Sequence, residues 1–285
     1  MNKKGSKAKE PGKFNYTKEQ VLRVMSEVLL DSVDYLLKFV NTSQEIIKRA
    51  GNKDDEKANL ELDELSDKLH ASLLELENDV CILREIDIEK YYEDVAQYDN
   101  TGEPEVREKL NLLGKLIESA TKGEKIVVEF NVPKELTKEK TLKLYKLILM
   151  AHLHLHYKSI QNYISKYPNA TPEEIQAIID EDDGEKEKRR EQIMEKEMIT
   201  KKPDEDYRMI LHAAYYTYIT HDSEFEKQMQ SILSLYYNLL RMVKEKTKIP
   251  ELKLDPVTMN YILFDEFYNR LNSKYLYGSA IHSLI

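Results

Sequence analysis

The chain has 285 residues, of which 33% are charged and 41% are hydrophobic. This length suits one large helical domain or two smaller ones. The 8 glycines and 8 prolines are few enough to allow long, regular helices. The net charge of −9 disfavours binding of the chain as a whole to nucleic-acid or membrane surfaces.

The sequence has no segment that predicts membrane insertion or secretion. The longest apolar run, 147–151, is far shorter than the roughly 20 residues of a spanning helix. The N-terminus lacks the apolar stretch of a secretion signal. The single cysteine, Cys81, cannot form a disulfide within the chain, which is typical of a reducing compartment. We therefore expect an intracellular protein, in the cytoplasm or the nucleus, without a membrane partner.

Residues 1–14 are predicted to be a disordered basic arm. Residues 1–13 contain five lysines and one glutamate, a net charge of +4, so the remainder of the chain carries −13. Such an arm can bind nucleic-acid phosphates, although most basic tails only keep a protein soluble. A second basic run, at 186–190, lies among acidic residues and is more typical of an exposed helix. The nucleic-acid candidates are Lys3, Lys4, Lys7, Lys9, Lys13, Arg189 and Arg190.

The first two predicted helices are long. Thr17 and Gln20 have the spacing of a capping box, which starts a helix, and apolar residues three and four apart follow over 22–40. A second helix is predicted over about 55–97, with a leucine-rich seam close to a heptad repeat. Together they predict a coiled-coil-like helical hairpin over 15–98.

A strand-like segment follows a short predicted helix at 105–121. Hydrophobic residues alternate with other residues over 125–132, which is the period of a strand. No second strand of similar quality exists, so the backbone of this segment needs other hydrogen-bond partners. It must lie against the helices, pair with a short stretch elsewhere, or add to a sheet in another chain. The partner-binding candidates in this segment are Ile126, Val128, Phe130 and Val132.

The remainder, 104–285, is predicted to be a helical bundle, so that the fold class is all-α. The helix that begins at Thr137 is apolar on nearly all sides over 142–157, which predicts a central position. A charged linker or solvated helix is expected near 180–200. Further helices are predicted to begin at Thr171, at Pro203–Asp204, at Asp222 or Ser223, and at Asp255–Pro256, the last ending at Gly278.

Three histidines lie close together on the predicted central helix. His152 and His156 share a face at i, i+4, which is a spacing compatible with metal binding. His154 points nearly opposite, and no glutamate follows His152 as it would in a metalloprotease motif. The alternative is that these are partly buried polar residues with hydrogen-bond partners. We expect no metal or cofactor, with His152 and His156 as the weak metal candidates.

The chain contains 19 tyrosines, ten of them between Tyr207 and Tyr277. Tyrosine is enriched at protein interfaces, but it also packs along helix seams with its hydroxyl at the water boundary. Adjacent pairs cannot both face one core, so one member of each pair should point outward or toward another helix. The partner-binding candidates here are Tyr215, Tyr236, Tyr268 and Tyr275.

No catalytic motif accompanies these helices. The sequence has no GxGxxG, Walker or GxSxG pattern and no recognisable Cys/His nucleophile arrangement. It therefore favours a protein that is not an enzyme: a helical scaffold or adaptor subunit of an intracellular complex, with other protein subunits as partners. One alternative is an accessory subunit that contacts nucleic acid through the basic arm. Another is a metal-dependent helical enzyme.

Overall fold

A computed structural model describes residues 14–51, 56–201 and 205–275. These residues form ten α-helices and two short 3₁₀ turns, with no strand among them, so the prediction of an all-α fold is confirmed. The chain divides into two compact units, 1–127 and 128–285. The basic arm, the predicted helix start at Pro203–Asp204 and the predicted end at Gly278 lie outside the described residues.

The described residues of the first unit form four helices, and the first of these packs against the other three, most extensively against the second. Its core includes Val21, Val24, Met25, Val28, Val80, Cys81, Tyr91, Tyr98 and Val106. The helices are α1 (Lys18–Ala50), α2 (Glu56–Leu83), α3 (Ile88–Thr101) and α4 (Pro104–Thr121).

The predicted capping box at the start of α1 is confirmed. The Thr17 hydroxyl accepts a hydrogen bond from the Gln20 backbone N–H at 3.3 Å, and the Gln20 side chain accepts one from the Thr17 N–H at 2.9 Å. At the other end Gly51 adopts a left-handed conformation, with φ 66°, which only glycine reaches without strain. Both ends of the helix thus follow from residues that lie within one turn of them.

The prediction of one continuous helix over 55–97 is wrong. The helix stops at Leu83, Glu85 adopts a left-handed conformation with φ 55°, and α3 begins after Asp87. The Asp87 carboxylate accepts a hydrogen bond from the Lys90 N–H at 3.1 Å, so it caps the new helix. No glycine or proline marks this break, because the left-handed residue is a glutamate.

The boundary between the two units lies later in the chain than the sequence analysis placed it. We grouped residues from 104 onward with the C-terminal bundle, whereas α4 packs against α1 and α3 in the first unit. Helix α4 begins with a proline, which has no backbone N–H. The first residues of a helix do not need one, because their N–H groups have no partner within the helix. A loop then leads from Gly123 toward the second unit.

Residues 124–133 form neither a helix nor a strand, so the predicted strand is not confirmed. The alternation of buried and exposed side chains nevertheless follows the period of two. Ile126 and Val128 are buried, while Val127 and Glu129 are exposed. The hydrophobic pattern therefore identified the covered face of the segment without identifying its hydrogen bonds.

The second unit is built around its first helix, as the apolar circumference of that helix predicts. This helix packs against the next four helices and against both 3₁₀ turns. Most residues between 147 and 157 are buried. The elements are α5 (Lys138–Lys166), α6 (Pro172–Glu181), α7 (Asp183–Lys196), α8 (Tyr207–His221), α9 (Ser223–Lys244), 3₁₀ turns at Pro250–Lys253 and Pro256–Thr258, and α10 (Tyr261–Tyr275).

One local prediction in this unit differs from the structure, namely that the last helix begins at Asp255–Pro256. Asp255 caps the second 3₁₀ turn by accepting a hydrogen bond from the Val257 N–H at 3.1 Å, and the last helix starts only at Tyr261. The Asn260 side chain accepts a hydrogen bond from the Leu263 N–H at 3.0 Å and so caps α10. Residues 183–196 of the charged stretch are helical.

Candidate functional site

The three histidines of α5 are all buried, and each is tied to a different part of the second unit. The His152 Nε2 lies 3.1 Å from the Lys186 carbonyl oxygen in α7. The His156 Nδ1 lies 3.0 Å from an Asp182 carboxylate oxygen, at the junction of α6 and α7. Since the partner atoms are acceptors, each of these ring nitrogens carries a proton and donates.

Burial keeps two of these imidazoles neutral. Burial and the nearby Arg190 guanidinium lower the pKa of His152 to about 3. Burial also lowers the pKa of His156, although its hydrogen bond to Asp182 acts in the opposite direction. Asp182 also accepts a hydrogen bond from the Ser159 hydroxyl at 3.1 Å. This cluster is therefore a satisfied polar network inside the bundle.

His152 and His156, the weak metal candidates, lie on the side of α5 that faces α6 and α7. The nitrogens that make these hydrogen bonds are protonated, so a metal could bind only the other ring nitrogen of each histidine. Across the part of the chain that the structure describes, no group of three or more His, Cys, Asp or Glu side chains could hold a metal ion.

His154 points to the opposite side of α5, toward the 3₁₀ turns. Its Nδ1 lies 2.7 Å from the Leu252 carbonyl oxygen, and its Nε2 lies 3.9 Å from an Asp255 carboxylate oxygen. Asp255 is also held by Arg189 of α7, whose Nη1 is 3.3 and 3.4 Å from its two oxygens. These side chains from three elements form one polar cluster.

This cluster forms part of the wall of a cavity of about 420 Å³. One wall is a stripe of α5 residues spaced three and four apart, and the other comes from the first 3₁₀ turn and Asp255. The polar side chains that line it are His154, Lys158, Gln161, Asn162, Lys253 and Asp255. Sequence reasoning missed this site, because Asp255–Pro256 carried only the pattern of a helix start.

Of the four candidate residues in the segment 126–132, Ile126 and Val128 are buried, while Phe130 and Val132 are partly buried. The Val128 N–H donates to the Thr220 hydroxyl at 3.3 Å, and the Phe130 N–H donates to the Thr217 hydroxyl at 3.0 Å. Val132 packs against the core of the second unit. Two threonine side chains of α8 thus accept hydrogen bonds from the backbone of this segment. The sequence analysis had allowed for a strand of another chain in that role.

The four candidate tyrosines also contact the core of the second unit. Tyr268 is buried, and the other three are partly buried against the same core: Tyr215, Tyr236 and Tyr275. In the adjacent pair on α9, Tyr237 points outward, as expected from the spacing.

The described nucleic-acid candidates, Arg189 and Arg190, are largely buried and paired with acids. Arg189 binds Asp255, and Arg190 binds Glu187. The five lysines of the basic arm lie outside the described residues. Phosphate binding by these two arginines would therefore require their ion pairs to open.

A different apolar surface is exposed at the start of α10. Three consecutive residues, Tyr261, Ile262 and Leu263, are 43%, 73% and 53% exposed. Lys143 of α5 lies over the Tyr261 ring, which fixes one edge of this surface. Isolated exposed apolar residues are ordinary, whereas three within one turn of a helix make that turn a candidate binding surface.

Within the described ranges, no helix combines the length and the apolar character needed to cross a membrane. Comparisons of the chain with protein-family models, with curated proteins and with solved structures gave no match.

Proposed function

We propose that this protein is a non-catalytic adaptor subunit of an intracellular multiprotein complex, and that a partner protein binds the first turn of α10. The observation that carries the proposal is the exposure of Tyr261, Ile262 and Leu263 in consecutive positions. Burying an exposed side chain of this size stabilises a complex by roughly 1.5–3 kcal/mol. Two or three such residues suffice for the centre of an interface.

The charges beside this surface indicate the chemistry of the partner. Asp265 and Glu266 follow Ile262 at i+3 and i+4 and are exposed, so they lie on the same side of the helix. A complementary protein surface would have an apolar pocket with lysine or arginine at its rim. We therefore propose a protein partner with these two features. A nucleic acid is disfavoured, because the two acidic side chains would repel its phosphates.

The test replaces Ile262 and Leu263 together by serine in the full-length protein. Both positions lie in the first turn of α10, where serine is well tolerated, so the fold should be retained. The matched control is serine at Ile82 and Leu83, two equally adjacent apolar residues that are also highly exposed. Proteins that co-purify in stoichiometric amounts from the native source would then be compared by quantitative mass spectrometry.

We expect the control to retain its partners and the α10 variant to bind them about a hundredfold more weakly or worse. Equal loss from both variants would mean non-specific adsorption to apolar surface and would contradict the proposal. Stoichiometric nucleic acid that dissociates with salt and requires residues 1–13 would favour the nucleic-acid alternative. Stoichiometric zinc or iron in the native protein would favour the enzyme alternative.

A further inference from the structure

The cavity between α5 and the first 3₁₀ turn has the two features that the exposed turn of α10, residues 261–263, requires of a partner. Its wall includes the apolar side chain of Leu252 and the ring of Tyr157. Lys158 and Lys253 also line it, are exposed, and form no ion pair with another described residue. The second unit thus contains an apolar hollow with lysines at its edge.

The size of the cavity suits the side chains of the exposed turn. Its volume of about 420 Å³ lies within the range that holds small molecules, so it has room for the aliphatic side chains of Ile262 and Leu263. Apolar surface continues beside the cavity, because Leu254, between the lining residues Lys253 and Asp255, is 52% exposed. Covering this leucine as well would increase the apolar area removed from water.

The charges of the two surfaces are opposite. Asp265 and Glu266 are exposed beside Ile262, and neither forms an ion pair with another described residue. The acid in the cavity wall, Asp255, does not offset the two lysines there, because Arg189 lies against both of its oxygens at 3.3 and 3.4 Å. The acids of the turn and the lysines of the cavity can therefore pair across an interface between two copies.

The exposed turn and the cavity lie along the same side of α5. The Lys143 Nζ is 2.8 Å from the centre of the Tyr261 ring, and His154, eleven residues later on the same helix, lines the cavity. Eleven residues make about three helical turns, so these two positions point in the same direction and lie roughly 17 Å apart along the helix axis. A chain's own turn therefore does not reach its own cavity, whereas a two-fold axis brings each turn to the cavity of the other copy.

From these features we infer that the partner of the exposed turn is a second copy of this chain. Ile262 and Leu263 of one copy enter the cavity of the other, where the two acids beside the turn face the two lysines. Because each copy provides both surfaces, the contact is made twice and closes a symmetric dimer. This inference rests on the proposed role of α10 and names the partner.

Sedimentation velocity of the full-length protein tests the dimer. We expect the wild type to be dimeric with a Kd below about 10 μM, and serine at both Ile262 and Leu263 to weaken the dimer at least about a hundredfold. Serine at Ile82 and Leu83, the matched control, should leave the dimer unchanged. A monomeric wild type, or a dimer that the α10 variant retains, would overturn the inference.

Co-purification from the native source separates this inference from the adaptor role. A monomeric wild type that still retains another protein through α10 would overturn the dimer but not the adaptor role. A dimer that retains no other protein would contradict the adaptor role and leave the dimer in place.

Charge reversal tests whether the two surfaces bind each other. One variant carries Lys158→Glu and Lys253→Glu, and the other carries Asp265→Lys and Glu266→Lys. Each variant alone should dimerise at least about tenfold more weakly, because like charges then face each other. An equimolar mixture of the two should recover the affinity of the wild type, because acids again face lysines at both contacts.

The matched control for charge reversal is Lys166→Glu with Lys244→Glu. It changes the net charge by the same amount at two exposed lysines outside the cavity, and it should leave the dimer unchanged. A mixture of the two variants that remains monomeric, or an equal loss of affinity in this control, would contradict the pairing of the turn with the cavity.

Discussion

Replacing Val128 by aspartate tests whether the segment 124–133 is part of the folded core. Val128 is 3% exposed, and its N–H donates to Thr220, whereas the neighbouring Val127 is 49% exposed. Removing the buried valine side chain costs roughly 1.5–3 kcal/mol, and burying a carboxylate without a partner adds to this. We therefore expect Val128→Asp to lower the free energy of unfolding by about 3 kcal/mol or more.

Val127→Asp is the matched control, since it makes the same chemical change one residue earlier. It places the carboxylate in solvent and should cost about 1 kcal/mol or less. Urea denaturation followed by circular dichroism measures both values, and hydrogen exchange of a peptide spanning 124–136 locates the effect. Equal stability of the two variants would refute the packing of Val128. Loss of a partner by a stable Val128→Asp protein would instead restore the segment as a docking surface.

Three further predictions concern buried polar groups. Asp94 is buried and accepts hydrogen bonds from the Asn15 and Tyr16 N–H groups at 3.0 and 2.6 Å, so Asp94→Asn should weaken local protection at the start of α1 by about 2 kcal/mol. Hydrogen exchange of a peptide covering 14–25 would be roughly thirtyfold faster, and an unchanged rate would contradict this. Arg84→Met should cost about 3–5 kcal/mol because it leaves the fully buried Glu27 without its main ion pair. A second replacement, Glu27→Leu, should recover most of that loss in urea denaturation. The pKa of His152 in the folded protein, about 3, lies below its ordinary value near 6.5, so its stabilising contribution is complete above pH 6.5 and is lost as pH falls toward 3. The wild type should lose about 2 kcal/mol more than His152→Gln between pH 7 and pH 5, and parallel curves would refute a neutral, buried His152.

Local signals predicted the helix starts that depend on residues within one turn. Thr17, Thr137 and Thr171 each accept a hydrogen bond from the N–H three residues later, and this interaction is visible as a spacing in the sequence. The apolar circumference of α5 likewise predicted its central position. These features required no knowledge of distant contacts.

The break between α2 and α3 depends on a distant contact and was missed. Arg84, at the break, donates from its Nε to the buried Glu27 at 2.8 Å, and these residues are 57 positions apart. Such an ion pair can hold Glu85 in a conformation that its own preference disfavours. Neither residue differs in type from the many exposed charges of the chain, so composition and spacing could not identify the pair.

The candidate cavity was missed for a related reason, and the histidines show why. A helix that is apolar on all sides can bury any of its faces. Apolar packing alone therefore does not determine how the helix is rotated about its own axis. The three imidazoles of α5 define that rotation, because each one needs its own partner: Lys186 for His152, Leu252 for His154 and Asp182 for His156. The sequence shows their spacing but not the partner that each imidazole finds. His152 and His156 are held within the bundle, whereas His154 has its bound nitrogen on the 3₁₀ turn and its other nitrogen beside Asp255 in the wall of a cavity. The residue that pointed away from the expected metal pair is therefore the one that lines the cavity.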